Sequence, residues 1–234
     1  MKQNIQAIIP CYLYQNGTAE DTSLYINNLK TVYDLYNIDP KKLDRDMLIK
    51  VYISLQLYGT PLNNNGKNYG YNAKIKIDSI RQLCIDMNMS YQSKNIAKIK
   101  EILMILEGME LIKPHKTLEN TYYIASTFEN AYKILPNDIK KYYVALDPEE
   151  ANYLIKNKIS LSVYCLIKSL YNYKNNCSKK LLKIMTSYSN NKINKAIDDM
   201  KSLNIIYWRS KQNLKAMYKV NYFEDWRNYE AFEE

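Results

Sequence analysis

Residues 90–98 read SYQSKNIAK, and residues 187–195 read SYSNNKINK. Both stretches open with Ser-Tyr and carry an isoleucine and a final lysine at matching positions. Each passes from short polar residues into an apolar stripe with helical spacing. We interpret the two stretches as the same position in two copies of an internal repeat, each being the start of a helix that follows a tight turn.

The residues around the first stretch predict a regular order of elements. Asp39-Pro40 predicts a helix start, because Asp favours the N-cap and Pro favours the first helical turn. The apolar spacing that follows predicts a long helix buried on most faces, and Gly108 ends the helix that contains residues 90–98. The predicted elements are a helix (47–57), a loop (59–70), a strand (73–77), a helix from Asp78 or Ser79 to Met87, a turn (88–90), a helix to Gly108, and two β-like stretches (111–114 and 121–125).

The residues around the second stretch predict a similar order. Asp147-Pro148 is again a helix start, and Ser178 is expected to cap a short helix. The predicted elements are a long helix (161–173), the short helix after Ser178, a turn (186–189), a third helix that ends near Leu203, and a hairpin within 205–223.

The positive charge of the chain is concentrated in the second copy. The whole chain has 33 Lys or Arg and 24 Asp or Glu, a net of +9. Residues 151–220 hold 14 Lys or Arg against only Asp198 and Asp199, so this region carries +12 and the remainder carries −3. Such asymmetry favours a segment that binds a polyanion, the alternative being a solvated Lys-rich surface. Lysine outnumbers arginine 29 to 4, which favours diffuse contact with phosphates.

Composition argues against several classes of function. The 47 % hydrophobic and 24 % charged residues are typical of a globular protein. With one histidine, His115, and no C-x-x-C pair among Cys11, Cys84, Cys165 and Cys177, we expect reduced core thiols, no metal, no cofactor and no catalytic site. No signal peptide or membrane span is recognisable, so we expect a cytoplasmic protein. Because no catalytic motif is recognisable either, we expect that the protein is not an enzyme.

The polar starts of the two third helices hold the candidate DNA contacts. A helix that enters a major groove needs short polar groups at its N-terminus, where amides pair with adenine and lysines with phosphates. Serine and asparagine also favour such positions through capping alone. The first-copy candidates are Ser90, Tyr91, Gln92, Ser93, Lys94, Asn95 and Lys98, with Gln92 and Asn95 as base readers. The second-copy candidates are Ser187, Tyr188, Ser189, Asn190, Asn191, Lys192, Asn194 and Lys195, with the three asparagines as base readers.

The two predicted hairpin turns add positive charge. A protruding hairpin can lie along phosphates or in the minor groove, although hairpin turns are polar in any case. His115 lies in the first of these turns and is expected to be an exposed turn residue rather than a catalyst. The candidate contacts are Lys113 and Lys116 in the first turn and Arg209, Lys211 and Lys215 in the second.

The order of helix, strand, helix, turn, helix and hairpin resembles a winged helix. Over residues 39–223 the chain is similar to tandem winged helix-turn-helix proteins, in particular to plasmid and phage replication initiators of low-GC Gram-positive bacteria. Residues 44–125 share with these initiators the long apolar first helix (DMLIKVYISLQLYG), the Asn- and Gly-rich loop, the helix pair, and Leu-Ile before the wing (GMELIK). The resemblance implies binding to repeated origin sequences, often with a switch between dimer and monomer.

We therefore expect a mainly α-helical fold with small β-hairpins, α+β in class, with two tandem winged-helix domains. The expected function is sequence-specific binding of double-stranded DNA by a replication initiator, with host replication proteins and a second copy of the chain, bound through domain 1, as further partners. The alternatives are a transcription or partition regulator of a mobile element and a protein-interaction module. The expected parts are an N-terminal helical extension (1–38), domain 1 (39–126), a linker (127–146), the basic domain 2 (147–223) and an acidic tail (224–234).

Overall fold

The computed structural model describes residues 7–10, 13, 43–62, 71, 73–76, 80–125, 143–172, 177–209 and 217–220. Within these ranges the fold is mixed α+β, with seven helices and three small antiparallel sheets, and the predicted class is confirmed. The helices are α1 (Arg45–Tyr58), α2 (Ile80–Asp86), α3 (Ser93–Gly108), α4 (Pro148–Lys156), α5 (Leu161–Asn172), α6 (Lys179–Thr186) and α7 (Asn190–Ser202). The strands are β1 (Ala7–Pro10), β2 (Thr60–Pro61), β3 (Ala73–Lys76), β4 (Lys113–Pro114), β5 (Thr121–Ile124), β6 (Tyr143–Leu146), β7 (Ile206–Arg209) and β8 (Met217–Val220).

Helix α1 lies in the middle of the core, where it contacts α3, α4, α5 and β1. Its side chains are buried on nearly every side, as the apolar spacing predicts. The helix begins at Arg45 because the carboxylate of Asp44 accepts a hydrogen bond from the Met47 N–H at 3.1 Å. The helix start predicted at Asp39-Pro40 lies outside the described residues.

In the first copy, α2 and α3 are joined by a turn and are followed by the β4–β5 hairpin. Asn88 adopts the left-handed conformation (φ 53°) at the predicted turn. Strand β3 pairs with β5, so that Ala73 lies opposite Ile124, and β5 pairs with β4. The strand before the helix pair and the hairpin after it therefore form one sheet, in the order β2-β3-β5-β4. The first hairpin strand begins at Lys113 rather than at the predicted Leu111.

In its described residues, the second copy repeats the order of three helices and a hairpin. Helices α5, α6 and α7 are followed by the β7–β8 hairpin, in which Ile206 lies opposite Val220. Ser187 (φ 57°) is the left-handed residue between α6 and α7. At the place that β3 occupies in the first copy, the carbonyl oxygen of Cys177 accepts a hydrogen bond from the Tyr218 N–H of β8 at 3.1 Å. Among the described residues, this backbone hydrogen bond therefore links the segment before α6 to the hairpin, as the pairing of β3 with β5 does in the first copy.

Helices α3 and α7 end in the same way. Glu110 (φ 58°) and Asn204 (φ 52°) follow the two helices in the left-handed conformation. The next residues, Leu111 and Ile205, are buried, and each donates its N–H to a helix carbonyl five residues earlier, at 3.0 and 2.9 Å. This is the Schellman termination, in which a left-handed residue and an apolar contact close the helix. The two copies therefore share this helix ending, which the similarity of residues 90–98 and 187–195 alone did not predict.

The segments that precede the two copies differ from the prediction. Residues 1–38 were expected to be a helical extension and residues 127–146 a linker, yet β1 and β6 pair in antiparallel fashion. Gln56 of α1 holds this pair, because its Oε1 accepts from the Ile8 N–H at 2.9 Å and its Nε2 donates to the Ile8 carbonyl at 3.1 Å. The four residues of β1 are all buried and too few to show a period, so distant packing determines their conformation.

Several predicted features fall outside the described residues. They are most of the Gly- and Asn-rich loop (63–70), the helix caps Asp78 and Ser79, residues 127–142 of the linker, the turn of the second hairpin (210–216) and the acidic tail (224–234).

Candidate nucleic-acid interface

The first turn of α7 presents three amide side chains to solvent. Asn190, Asn191 and Asn194 are exposed. Ser189 is the N-cap, and its hydroxyl accepts a hydrogen bond from the Lys192 N–H at 3.3 Å, so this candidate contact also has a capping role. The helix therefore has a polar outer face at its start. Its inner face is buried through Ile193, Ala196, Ile197 and Met200.

Lys192 lies against two groups of the protein. Its Nζ is 3.4 Å from the centre of the Tyr188 ring and 4.0 Å from Oδ2 of Asp46. Tyr188 is half-buried, and its hydroxyl donates to Oγ of Ser162 at 3.1 Å. Burial raises the pKa of the Tyr188 hydroxyl well above its usual value, and the charge of Asp46 raises it further. Tyr188 therefore attaches the start of α7 to α5.

Lys195 and Ser187 are more accessible than Tyr188. The side chain of Lys195 is 77 % exposed, and its Nζ lies 2.8 Å from Oδ2 of Asp199, one helical turn further on. Exposed ion pairs of this kind stabilise a helix by only about 0.3–0.5 kcal/mol, so a phosphate can readily replace Asp199 as the partner of Lys195. Ser187 is exposed at the left-handed position that ends α6.

The first turn of α3 differs from that of α7. Asn95 is half-buried, and its Nδ2 donates to the carbonyl oxygen of Ser90 at 2.8 Å and lies 3.2 Å from Oγ of the same serine. This predicted base reader therefore closes the turn before the helix. Gln92 is the N-cap, without a capping hydrogen bond from its side chain. The exposed residues of this segment are Ser90, Tyr91, Gln92, Ser93 and Lys94.

Lys98, a predicted phosphate ligand, is bound to the start of α1. Its Nζ lies 2.5 Å from Oδ2 of Asp44, whereas Oδ1 of Asp44 caps the helix. Burial alone would raise the pKa of Asp44, but hydrogen bonds from Lys98 and from the Met47 N–H, together with the charges of Lys98 and Lys192, lower this pKa below its usual value. Asp44 is therefore influenced by lysines from the third helices of both copies.

Asp46 joins the two copies. Its carboxylate accepts hydrogen bonds from the N–H and the hydroxyl of Ser162, both at 2.8 Å, and from the hydroxyl of Ser160 at 3.1 Å. A residue of α1 thus caps the N-terminus of α5. Nearby, Nζ of Lys50 donates to the carbonyl oxygen of Asn157 at 2.8 Å. These bonds lie beside the buried packing of α1 on α5.

Asp44 and Asp46 belong to this region, although no pattern in the sequence predicts it. A pair of acids two residues apart at the start of a long helix indicates capping and no more. Their lysine partners lie far away in the chain, and Lys98 is 54 residues from Asp44. The structure shows that the starts of α3 and α7 both reach this one turn of α1.

The turn of the first hairpin is built around His115. Its Nδ1 accepts the N–H of Thr117 and of the following residue, both at 3.2 Å, and its ring stacks on Tyr123 with 5.1 Å between ring centres. His115 therefore shapes the turn and is only partly exposed. Lys113 and Lys116 are exposed on either side of it.

Helix α6 adds exposed positive charge to the second copy. Ser178 caps the helix, as predicted, by accepting the Leu181 N–H at 3.2 Å. Two candidate contacts of the second hairpin, Lys211 and Lys215, lie outside the described residues, as does the side chain of Arg209. The exposed lysines of α6 are Lys179, Lys180 and Lys183.

The described cysteines are buried and free, which confirms the prediction of core thiols for Cys84, Cys165 and Cys177. Burial raises the pKa of the Cys177 thiol to about 12, so this thiol stays protonated at neutral pH. Cys11 lies outside the described residues.

A buried ionic network lies between α4 and α5. Glu150 is only 4 % exposed, and its carboxylate accepts hydrogen bonds from the Tyr164 hydroxyl and, at 2.5 Å, from Nζ of Lys168. Burial, followed by the charge and the hydrogen bond of Glu150, raises the pKa of Tyr164 well above its usual value. The network compensates a buried charge and has the character of a structural link between two helices.

Comparison of the chain with known protein families, with curated proteins and with solved structures gave no match. In the part of the chain that the structure describes, no three His, Cys, Asp or Glu side chains are grouped in a way that could hold a metal ion. Within the same part, no helix has both the length and the apolar character needed to cross a membrane.

Proposed function

We propose that both copies are winged helix-turn-helix units and that the protein binds double-stranded DNA in a sequence-specific manner. The first copy has a strand, a helix pair and a hairpin, and its sheet runs in the order β3-β5-β4. The second copy has the same helix pair and hairpin, with the carbonyl of Cys177 bonded to β8 in place of the strand. In such units the second helix of the pair enters the major groove and the hairpin lies along the backbone.

The observation that carries the proposal is the exposed first turn of α7. Asn190, Asn191 and Asn194 point away from a face that is fully packed, on a helix held at its start by Tyr188. The amide of an asparagine can donate a hydrogen bond to N7 of adenine and at the same time accept one from the N6 amino group. These residues are therefore suitable for reading bases. Lys195 and the exposed lysines of α6 supply attraction to phosphates.

The biological role that we propose is initiation of replication on a plasmid or phage. Two tandem DNA-binding units in one basic chain suit a target made of repeated sequences, as in the initiators that the sequence resembles. Regulation of transcription or partition on a mobile element uses the same contacts on an operator or centromere. Replication proteins of the host are the further partners that initiation requires.

The first copy is the part that we assign to pairing with a second copy of the chain. Among the described residues, four of the five large apolar side chains that are most exposed belong to this copy. A contiguous exposed apolar patch marks a protein contact, and these four side chains are the ones that such a patch on the first copy would use. They are Ile85, Tyr91, Met104 and Leu118, with exposed fractions between 47 % and 57 %.

The proposal is tested by mixing the protein with fragments of the mobile DNA that encodes it and sequencing the fragments that bind. We expect enrichment of a defined sequence, with clustered direct repeats if the protein is an initiator and a promoter palindrome if it is a regulator. Binding to mixed-sequence DNA should weaken on the order of a thousandfold between 50 and 200 mM salt if about six phosphates are contacted. Absence of binding, or binding that does not depend on salt, would favour the protein-interaction module instead.

A further inference from the structure

Three of the four lysines predicted to bind phosphate from the third helices have a carboxylate of the same chain nearby. Lys195 has Asp199 on its own helix, a weak and exposed pair. Lys98 and Lys192 instead face acids of another element, Asp44 and Asp46 of α1. The side chains of Lys98 and Asp44 are 38 % and 40 % exposed, so the contact is accessible to a competing anion.

Capping of α1 does not require the negative charge of Asp44. Oδ1 of Asp44 caps α1, and an asparagine would cap it about equally well. The second oxygen, Oδ2, makes the 2.5 Å contact with Lys98. Asp46 differs in part, because Oδ1 caps α5 through Ser162, whereas Oδ2 accepts the Ser160 hydroxyl at 3.1 Å and lies 4.0 Å from Nζ of Lys192. Only Asp44 therefore has an oxygen that faces a lysine without also bonding to the fold.

We propose that Asp44 and Asp46 are specificity-determining residues that compete with DNA phosphates for Lys98 and Lys192 and thereby weaken sequence-independent binding. The inference rests on the proposed DNA-binding function. Attraction to phosphates supplies essentially all of the binding to non-specific DNA, whereas binding to the target also gains from contacts with base edges. Because Asp44 and Asp46 keep two lysines from the phosphates, non-specific DNA loses a larger share of its binding free energy than target DNA does. The ratio of target affinity to non-specific affinity therefore increases.

Asp44 and Asp46 lie within one turn at the start of α1. These two acids therefore hold lysines from both third helices, Lys98 of α3 and Lys192 of α7. Lys192 is held from two sides, by Asp46 and by the ring of Tyr188. The pair of Lys98 and Asp44 is the simpler one to test, because Asp44 makes no bond to the second copy that a substitution would remove. Asp46 is unsuitable, because its loss would uncap α5.

The test is a double-mutant cycle on the full chain with a 30-bp mixed-sequence duplex as the probe, titrated between about 50 and 200 mM salt. Asp44→Asn keeps the cap and releases Lys98. We expect it to tighten binding roughly three- to tenfold near 100 mM salt and to steepen the dependence of log K on log salt by about 0.9, the value of one added phosphate contact. Lys98→Gln should change little in the wild-type chain and should remove the gain in the Asp44→Asn chain.

Glu101→Gln is the matched control, because it removes one negative charge from an exposed position on α3, one turn from Lys98. Equal effects of Asp44→Asn and Glu101→Gln would overturn the inference, since net charge alone would then explain the gain. The same conclusion follows if Lys98→Gln weakens binding equally in both backgrounds. A wild-type chain without salt-dependent binding overturns the proposed function as well, whereas a failed cycle with normal binding overturns only this inference. Should Asp44→Asn not fold, Asp44→Ser, which also caps, replaces it.

Discussion

Helices α3 and α7 occupy the same position in the two copies, yet their first turns leave different groups exposed. In α3 the amide of Asn95 is bonded to the preceding turn and Tyr91 is 56 % exposed. In α7 the amides of Asn191 and Asn194 are exposed, and Tyr188 is bonded to α5. The first copy therefore presents an aromatic ring beside the single amide of Gln92, whereas the second presents the amides of three asparagines, although both stretches begin with Ser-Tyr.

The turns that precede α3 and α7 also differ in length. Three residues separate the left-handed Asn88 from the N-cap Gln92, whereas Tyr188 is the one residue between the left-handed Ser187 and the N-cap Ser189. The shorter turn keeps Tyr188 close to α5, where its hydroxyl donates to Ser162. Under the proposed function, the second copy reads bases and the first copy contributes phosphate contacts or a protein contact.

The largest expected effect is on base recognition. Asn191→Ala should cost about 1–3 kcal/mol for the preferred sequence and relax the preference at one base position, because an amide that pairs with adenine is lost. The matched substitution Asn95→Ala should leave the preference unchanged, since that amide is already bonded to Ser90. Fragment selection with each variant measures both. A change of preference with Asn95→Ala alone would reverse the assignment of the two helices.

A smaller effect is expected from the exposed lysine of α7. Lys195→Ala should weaken binding to all sequences alike, roughly three- to tenfold near 100 mM salt, and reduce the salt slope by about 0.9. Lys94→Ala is the comparable change in the first copy, and it should have a similar or smaller effect if the second copy carries most of the phosphate contacts. Salt titration of binding to a mixed-sequence duplex measures both variants. A loss confined to one sequence would indicate that Lys195 contacts a base.

The two tyrosines provide a comparison of stability. Tyr188→Phe should lower the free energy of unfolding by about 0.5–1.5 kcal/mol, because the hydrogen bond to Ser162 is lost while the ring stays beneath Lys192. Tyr91→Phe should change it by less than about 0.5 kcal/mol, since Tyr91 is exposed. Urea denaturation measures both values. Equal losses would mean that the two turns are more alike than the structure shows.

The smallest effect concerns pH. The pKa of Asp44 is lower in the folded chain than its usual value, so its ion pair with Lys98 contributes stability above the unfolded-state pKa and loses it as the pH falls through the folded-state pKa. Wild type should therefore melt about 1–3 °C above Asp44→Asn at neutral pH, and this difference should shrink as the pH falls below the usual Asp pKa of about 3.9. Thermal unfolding of both chains across this range checks the sign. A difference that grows towards acid would contradict the assignment.

Much of the local structure could be predicted because it is encoded in nearby residues. The buried faces of α2 and α7 follow the 3.6-residue period, and the cap at Ser178 follows from a side chain that accepts an N–H three residues later. Strand β3 also followed from its alternating residues. In contrast, β1 and β6 were not predicted, because four-residue strands gain their stability from a partner more than a hundred residues away.

The candidate site shows the same division. Its helices, turns and exposed asparagines were predictable, since a residue's place on a helix face is set by local spacing. The sequence did not predict which polar side chains remain available for contacts with DNA. Asn95, Tyr188 and Lys98 bond to partners that turn geometry and packing against other helices bring close. Ion pairs between separate elements, such as Lys98 with Asp44, carry no periodic signal in a sequence.

Local residues thus set the order of the three helices within each copy, the cap of α6 and the concentration of positive charge in the second copy, because periodicity, capping and charge are properties of short stretches. Tertiary packing places lysines of α3 and α7 at one turn of α1, where Asp44 and Asp46 lie beside Lys98 and Lys192. Burial of α1 against both copies brings these charges together, and the energy of an ion pair depends on distance in space rather than on distance along the chain.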